Sequence, residues 1–360
     1  SNLSMGIKRV KVFTFTLLKL HTKNKLQSQP LAEPVVVILA ILCCRRHRVA
    51  FKSRTESEIQ FAIPSAKGCL RNGGNMEKPE RKEKGMRRDW YKLDLSAIVY
   101  PTLQRRDFSS VYRLSVVLKE EIQPDVLQRA LNMTMPRFPT YKAAIRKGLF
   151  WRYLEPNNRP GPFVQEDVKN PCQPMYFKAN NRYLVRVYYF RNRISLEAHH
   201  SLGDGTGGMC VLQTLTATYL RLLGHTEIQN GGFVLDINGE PEAEELEDAY
   251  MKYANAKVCP PRLQEKAYRV RGTAEPFYTL NIIDGIMSVS EVMAVAKKYH
   301  ATITEYLNAV LLYALLQKQK EDVRVREKPV KIAMPVNLRR FFPSRTLRNF
   351  ITMIYPGVDP

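Results

Sequence analysis

The pattern of apolar and polar residues becomes regular near Trp90 and remains regular toward the end of the chain. The first regular segment, Val111 to Leu118, is rich in β-branched residues and predicts a strand. Residues 124–131 begin with a proline and repeat apolar positions at helical spacing, which predicts a helix that begins at Pro124. The patterned part of the chain therefore opens with a strand and a helix.

Two extended segments and a long helical segment come next. The runs from Arg182 to Phe190 and from Arg193 to His199 are separated only by Arg191 and Asn192, which predicts antiparallel strands joined by a tight turn. The segment from about Gly207 to Leu223 repeats apolar side chains on one face and predicts an amphipathic helix. This mixture of strands and helices predicts the α/β fold class.

A connecting region over residues 226–275 separates this half of the chain from a second one. It contains turn residues, an acidic stretch over residues 240–248 and the pair Pro260-Pro261. We interpret the acidic stretch as a solvated helix face. The second half opens with a strand-like run from Phe277 to Ile283.

Two helices and a strand complete the second half. A capping box, in which Ser or Thr is followed three residues later by Glu, opens each of the helical segments 288–299 and 302–316. Residues 329–336 form an apolar run that predicts a strand buried on both faces. No short-period repeat is visible, which excludes solenoids and propellers.

The first 75 residues do not share this regular pattern. They mix basic clusters with one apolar decamer, residues 35–44, and lack the small-residue cleavage site of a secretory signal. We interpret residues 1–75 as a basic leader outside the fold, with Met76 as the natural start. Residues 76–225 then form the first subdomain, and residues 276–360 form the second.

The composition indicates a globular chain of 360 residues, with 44% hydrophobic and 25% charged residues. No apolar run reaches the ~20 residues of a membrane-spanning helix, so stable membrane insertion is not expected. The six cysteines form no CxxC pair and no dense disulfide pattern, which favours the reducing cytoplasm as the location.

The formal net charge of +22 is concentrated at one end of the chain. Residues 1–89 hold 19 Lys and Arg against 7 Asp and Glu, whereas the remaining 271 residues hold 37 against 27. The globular part is therefore only mildly basic, and it contains no zinc-finger, homeodomain or RNA-recognition pattern. We expect no nucleic-acid partner, since an anionic substrate or cofactor accounts for the remaining basic charge equally well.

The clearest chemistry lies in residues 199–205, with the sequence HHSLGDG. They come where a predicted strand ends, on a glycine-rich turn that leads into a predicted helix. A neutral imidazole with a pKa of about 6.5 can accept a proton at neutral pH, as a general base for a hydroxyl, amine or thiol must. The glycines here carry no side chains, so we expect a sharp turn and close approach of a substrate to the backbone at Gly203, Gly205, Gly207 and Gly208.

Other chemistries at this motif have less support. Adjacent residues of a strand point to opposite faces, so His199 and His200 cannot both serve one site. These histidines and Asp204 lack a further His, Cys or acidic cluster at ligand spacing, which argues against a metal site. Ser201 lacks the GxSxG context of a serine hydrolase. The nucleophile is therefore expected to come from the substrate.

Residues 199–208 (HHSLGDGTGG) resemble the HHxxxDG signature of the CoA-dependent acyltransferase superfamily. This superfamily includes chloramphenicol acetyltransferase, the condensation domains of nonribosomal peptide synthesis and alcohol acetyltransferase-like proteins. Residues 334–342 (MPVNLRRFF) and 348–350 (RNF) resemble the family's Pro-Val-Asp-Leu-Arg segment and its later Arg-Asn step. The similarity covers the chain from about Trp90 onward and is closest to bacterial alcohol acetyltransferase-like proteins.

The resemblance implies an α/β fold, a two-layer α+β sandwich of two chloramphenicol-acetyltransferase-like subdomains with the active site in a tunnel between them. His200 corresponds to the family's general base, which takes the acceptor's proton as the acceptor attacks an acyl thioester, without an acyl-enzyme. Asp204 is implied to face away from the substrate and to pair with an arginine, here Arg339. Gly205 is implied to keep the tunnel floor open. The structural residues of the active site are then His199, Asp204, Gly205, Arg339 and Asn349.

The implied function is transfer of an acyl group, expected to be acetyl, from a CoA thioester to a hydroxyl or amine. Acyl-CoA is then a co-substrate, a small alcohol or amine is the acceptor, and no cofactor or metal is bound permanently. Two alternatives stay open: a condensation-type enzyme that uses a carrier-bound acyl group, and an inactive acyltransferase-like binding module. Asn337 stands where many relatives have Asp. The family's closing Asp-Phe-Gly-Trp-Gly segment is not found before Pro360, so we expect a truncated second subdomain.

Overall fold

The structure, a computed structural model, has the α/β character that the sequence predicts, with helices packed on a mostly antiparallel sheet. It describes the backbone of residues 9–11 and, with their side chains, residues 90–104, 108–167, 170–254, 265–270, 282, 285, 287–321 and 327–360. The strand predicted over residues 277–283 lies outside these residues, apart from Ile282.

The strands and helices of the described residues are numbered here in chain order. The strands are β1 (Arg9–Lys11), β2 (Tyr91–Lys92), β3 (Val111–Val117), β4 (Ala143–Lys147), β5 (Arg152–Pro156), β6 (Val164–Glu166), β7 (Val185–Phe190), β8 (Arg193–His199), β9 (Val330–Lys331), β10 (Met334–Asn337), β11 (Ile351–Ile354) and β12 (Gly357–Val358). The helices are α1 (Tyr100–Leu103), α2 (Pro124–Thr134), α3 (Gly205–Leu222), α4 (Ala243–Leu246), α5 (Ala249–Tyr253), α6 (Val289–Lys298) and α7 (Ile303–Glu321).

The main sheet has the strand order β1-β3-β8-β7-β6 and is antiparallel except for the β6–β7 pair. β3 and β8 pair along their whole length, with Val111 opposite His199. The predicted hairpin between β7 and β8 is confirmed, and Arg191 adopts a φ of 49° in its turn. Its first strand begins at Val185 rather than Arg182, because Asn180–Arg182 form a 3₁₀ turn at positive φ.

Helices α2 and α3 pack on the main sheet and on each other. Their apolar faces are fully buried, as for Leu131 of α2 and Leu215 of α3, and such burial stabilises the fold by about 1.5–3 kcal/mol per side chain. α2 begins at Pro124, as predicted. α3 begins at Gly205, two residues earlier than predicted, because the side chain of Asp204 caps its first turn.

The acidic stretch over residues 240–248 is not, as predicted, simply a solvated helix face. It contributes the short helix α4, and Glu245 of this helix is only 2% exposed. The two carboxylate oxygens of Glu245 accept hydrogen bonds from the guanidinium of Arg137 at 2.6 and 2.7 Å. A buried charge of this kind requires such a partner, and the partner here lies 108 residues earlier in the chain.

The two helices predicted in the second half are confirmed as α6 and α7. At the start of α7 the capping box is reciprocal: the Thr302 amide donates to Glu305 Oε2 at 2.7 Å, and the Glu305 amide donates to Thr302 Oγ1 at 3.2 Å. α7 continues to Glu321, past the predicted end at residue 316. The added residues, QKQKE, are good helix formers, and their lysines suit a helix C-terminus.

The strand predicted over residues 329–336 is interrupted and only partly buried, so the prediction of burial on both faces is wrong. β9 pairs with β12 and β10 pairs with β11 in one continuous antiparallel register. Between these pairs the Ile332 amide donates to the Pro356 carbonyl at 3.0 Å, but Pro356 has no N–H to return a bond. The ladder of hydrogen bonds therefore breaks at this proline. The exposure of Pro335 in β10 shows that one face of the segment is not buried.

The backbone of Arg9–Lys11, from the predicted leader, lies antiparallel to β3 at the edge of the main sheet. The rest of residues 1–75 lies outside the described residues, so the place of the leader relative to the fold stays a prediction. In the part of the chain that the structure describes, no helix has the length and apolar character needed to cross a membrane.

Candidate active site

The HHSLGDG motif lies at the end of β8, where the main sheet meets α3. β8 ends at His199, and Asp204 forms the N-cap of α3. Oδ1 of Asp204 accepts hydrogen bonds from the amides of Thr206 at 3.0 Å and Gly207 at 3.3 Å. Free amides and the helix dipole favour a carboxylate at this position. The strand and the helix thus hold the two ends of the loop that carries His200.

His199 is buried in the first half of the chain. Its Nδ1 accepts a hydrogen bond from the Ser201 amide at 3.2 Å, and its ring meets the ring of Phe177 edge-on with centroids 5.5 Å apart. Burial, together with the smaller electrostatic effects of His200 and Arg152, lowers the pKa of His199 to about 3. His199 is therefore neutral at physiological pH, and its environment differs from that of His200.

The imidazole of His200 contacts two tyrosine rings. Tyr100 stacks on it with centroids 4.7 Å apart and an interplanar angle of 17°, and Tyr112 packs on it at 4.6 Å and 48°. Burial lowers the pKa of His200 to about 4, and the charge of Asp204 offsets only part of this effect. The imidazole is therefore uncharged at neutral pH and held by aromatic contacts, and it can accept a proton.

The backbone of His200 is fixed from both halves of the chain. Its amide donates to the Ser110 carbonyl at 2.9 Å, and its carbonyl accepts a hydrogen bond from Asn349 Nδ2 at 2.9 Å. Asn349 is fully buried, and its Nδ2 also donates to Asp94 Oδ2 at 3.1 Å. Residues 348–350, from the second half of the chain, thus contact the loop of residues 199–205 through the side chain of Asn349.

Arg339 lies against Asp204, with 2.8 Å between Nη1 and Oδ2, and the two side chains are 10% and 3% exposed. Nε and Nη2 of Arg339 donate to the Thr346 carbonyl at 3.0 and 2.7 Å. The Phe350 amide donates to the same Oδ2 of Asp204 at 2.9 Å. Both oxygens of Asp204 are therefore engaged by protein groups, which suits a positioning role better than proton transfer.

Asn337 adds to this arrangement. Its Oδ1 accepts hydrogen bonds from the Arg339 amide at 3.1 Å and from Arg339 Nη1 at 3.3 Å. Its Nδ2 donates to Thr206 Oγ1 at 3.3 Å. An ionised aspartate could keep a link to Thr206 only by accepting from its hydroxyl, so Asn and Asp would make this contact to α3 in opposite directions.

Asp94 belongs to this network, although the sequence analysis did not identify it. It is fully buried; its Oδ1 accepts from the Ala97 amide at 2.8 Å, and its Oδ2 accepts from the Asn349 amide at 3.3 Å. Burial raises the pKa of Asp94 to about 6, and the charge of Arg348 opposes this rise. The segment DLSA indicates a local turn at Asp94, but it gives no sign of a partner 255 residues away.

Gly203 and Gly207 make room for protein atoms rather than, as predicted, for a substrate. A Cβ on Gly203 would lie 2.5 Å from the Leu347 carbonyl oxygen and 2.5 Å from the Tyr141 hydroxyl, and one on Gly207 would lie 2.0 Å from the same carbonyl. A Cβ on Gly205 would meet no atom within 4 Å. The loop that follows Arg339 thus packs directly on the glycine-rich turn, while Gly205 faces open space.

The substitution Gly207→Ala tests this close packing. We expect it to lower the free energy of unfolding by about 1–3 kcal/mol or more, because the Leu347 carbonyl must shift to admit the new methyl group. This loss should appear even though Ala is the better helix former. Denaturant titration measures it, and Gly205→Ala is the matched control, which should stay within about 1 kcal/mol of the parent. Equal losses in the two variants would contradict the packing.

The stability of the fold should fall on acidification, because His199 and His200 have folded pKa values of about 3 and about 4 against an ordinary 6.5. Below pH 6.5 the unfolded chain binds protons that the folded protein does not, so stability is complete above this pH and is lost as pH falls. Asp94, with its pKa raised to about 6, acts oppositely, since its contribution is present below 3.8 and lost as pH rises through 6. The two histidines determine the net pH dependence, because together they bind more protons on unfolding than Asp94 releases.

Urea titrations between about pH 7 and about pH 5 measure this dependence. We expect the parent to lose stability across this interval and His199→Gln to lose less, because the variant lacks one of the two groups that gain a proton on unfolding. A variant with the same pH slope as the parent would show that His199 is protonated in the folded protein.

Among the described residues, no group of three or more His, Cys, Asp or Glu is arranged to hold a metal ion. The tunnel implied by the resemblance stays a prediction.

A sequence model of the alcohol acetyltransferase family matches residues 277–349, the stretch that contains Arg339 and Asn349. The match supports the similarity to the CoA-dependent acyltransferase superfamily that the HHSLGDG motif indicates. No curated protein sequence matches the chain.

Several solved structures are similar to this one at low identity. Polyketide synthase associated protein 5 from Mycobacterium tuberculosis has 15% identity and a TM-score of 0.49, over 76% of this chain and 68% of that one. TRI101 from F. sporotrichioides, solved with coenzyme A and T-2, has 12% identity and a TM-score of 0.47, over 75% and 69% of the two chains. The starter condensation domain of rhizomide synthetase RzmA has 16% identity and a TM-score of 0.31, over 37% and 38%.

Proposed function

We propose that this protein is an acyltransferase that moves an acyl group, acetyl in the first instance, from a CoA thioester to a hydroxyl or amine acceptor. The observation that carries the proposal is the state of His200: an uncharged imidazole, packed on two tyrosine rings, in a loop that is fixed from both halves of the chain. The match of residues 277–349 to the alcohol acetyltransferase family supports the same reaction class.

In the proposed reaction, His200 removes the proton of the acceptor as the acceptor oxygen or nitrogen attacks the thioester carbonyl. The resulting tetrahedral intermediate expels the thiolate of CoA. This thiolate accepts the acceptor's proton from the His200 imidazolium, which returns His200 to its neutral form. No acyl-enzyme forms, because the nucleophile belongs to the acceptor. Tyr100 and Tyr112 lie within the ~6 Å at which an aromatic face attracts a cation, so they stabilise the transient imidazolium.

Asp204 acts in this reaction through position rather than proton transfer. Its Oδ1 holds the first turn of α3, and its Oδ2 holds Arg339 and the Phe350 amide. A planar guanidinium is suited to fixing a carboxylate in this way and stays charged when it is largely buried. Asp204 therefore keeps the loop of His200 in place while the charge on the imidazole changes.

The test is release of the free CoA thiol from acetyl-CoA in the presence of a panel of alcohols and amines. We expect thiol release that depends on an acceptor and yields the acylated acceptor in equal amount. Transfer from an acyl-carrier thioester but not from acetyl-CoA would replace the proposal by a condensation-type reaction. Binding of acetyl-CoA without turnover across the panel would indicate an acyltransferase-like binding module.

A further inference from the structure

The hairpin between β4 and β5 exposes apolar side chains at its tip. Leu149 and Phe150 are 86% and 92% exposed, and Trp151 is 58% exposed. The Gly148 amide donates to the Trp151 carbonyl at 2.7 Å, so Leu149 and Phe150 are the two central residues of the turn. Such positions usually hold Gly, Asn or Asp, and large apolar residues there break the local rule without a gain inside the fold.

The shape of the tip disfavours a flat protein partner. A hairpin turn is a narrow, convex feature, so a flat surface would cover only part of its three exposed apolar side chains. A fluid bilayer surrounds an inserted tip from all sides, so it can remove all three side chains from water at once.

The charges around the tip favour an anionic surface. Lys147 and Arg152 lie opposite each other at the base of the turn, and Lys147 is exposed. The one acidic residue of the two strands, Glu155, pairs with Arg146 at 2.5 Å and is thereby compensated. Apolar and aromatic residues flanked by Lys and Arg are typical of segments at the membrane interface, where basic residues are drawn to anionic lipids.

We propose that the hairpin tip, Leu149–Trp151 with Lys147 and Arg152 at its base, docks the protein peripherally on a bilayer that contains anionic lipids. Docking requires no membrane-spanning segment. The proposed reaction assigns no role to any of these residues, so docking stands or falls independently of it.

Fluorescence tests the depth of the tip, since the chain has only two tryptophans, Trp90 and Trp151. The variant Trp90→Phe leaves Trp151 as the sole reporter, and Trp151→Phe leaves Trp90. With vesicles of equal parts phosphatidylcholine and phosphatidylglycerol, we expect Trp151 emission to shift to the blue and to be quenched by brominated acyl chains. Trp90 should show neither change. It precedes β2 at the end of that strand farther from the tip, since Tyr91 pairs with Leu154 and Lys92 with Tyr153, and its ring packs on Tyr153.

Vesicle flotation of the full chain tests whether the tip provides the binding energy. Leu149→Ser with Phe150→Ser should lower the partition coefficient by about 10²–10⁴-fold, which is the effect of removing two buried apolar side chains. The matched control is Met251→Ser with Met287→Ser, which removes two side chains that are 70% and 64% exposed elsewhere, and it should bind like the parent. Vesicles of phosphatidylcholine alone should bind the parent more weakly.

Three results would overturn the proposal. Unchanged binding of the tip variant would assign vesicle binding to the basic residues 1–89. A parent that binds neither kind of vesicle would exclude membrane docking. A dimer that forms without lipid and is lost in the tip variant would assign the tip to contact with a second copy of the chain. Because both replaced side chains are solvent-exposed, the tip variant should unfold at the parent's denaturant midpoint.

Discussion

Replacement of His200 by Ala is expected to lower the rate of acyl transfer by about 10²–10⁴-fold, the usual contribution of a positioned general base. Binding of the acyl donor should change little, because proton removal is needed only in the transition state. The kcat and KM for thiol release measure the two effects separately. Since the pKa of His200 is about 4, the parent should keep its rate from neutral pH down to about one unit above that value.

His199→Ala is the matched control for this prediction. This variant also loses an imidazole, but from a fully buried position whose ring contacts Phe177 rather than Tyr100 and Tyr112. We expect this variant to lose stability before it loses activity. A His200→Ala protein with the parent's rate would contradict the assignment of the base, whereas loss of activity only in His199→Ala would move the assignment to the other histidine.

Asp204→Ala and Arg339→Ala should each destabilise the protein by about 3–5 kcal/mol, because each leaves its partner as an uncompensated charge in a largely buried site. Activity should fall in both variants as the loop of His200 loses its support. The double variant should be less harmful than the sum of the two, since the single changes remove one shared interaction. Denaturant titration of the four proteins gives the coupling energy directly.

The neighbouring Arg340 provides the control for this cycle, since it is an exposed arginine one residue from the pair. Arg340→Ala should retain the stability and rate of the parent. Strictly additive losses in the cycle would show that Asp204 and Arg339 act separately. An Asp204→Asn protein that is fully folded but inactive would instead assign proton transfer to Asp204.

Local features of the fold could be predicted because they depend on neighbouring residues. The helix that begins at Pro124 and the hairpin at Arg191 follow from patterns a few residues long, and the structure contains both. The strand over residues 329–336 was predicted less well, because its interruption depends on Pro356, which pairs with it from more than twenty residues away. The local pattern contained no information on that partner.

The candidate site shows the same limit. The motif at residues 199–205 indicates a site at one of the two histidines, and the resemblance implies that His200 is the base and which residues surround it. The contact of Tyr100 and Tyr112 with His200 depends on the register of β3 against β8 and on the path of the preceding segment, neither of which a sequence pattern determines. Asp94 likewise has its decisive partner 255 residues away at Asn349.

The two oxygens of Asp204 bind parts of the chain that are synthesised at different times. Oδ1 binds the amides that begin α3, whereas Oδ2 binds Arg339, which the ribosome adds 135 residues later. A nascent chain that has completed α3 can therefore hold the loop of His200 by the helix cap and by the hydrogen bond to Ser110, but without the Arg339 guanidinium and without the Asn349 amide. Completion of the site is thus expected to be a late event of folding, because it requires the second half of the chain to dock on the first.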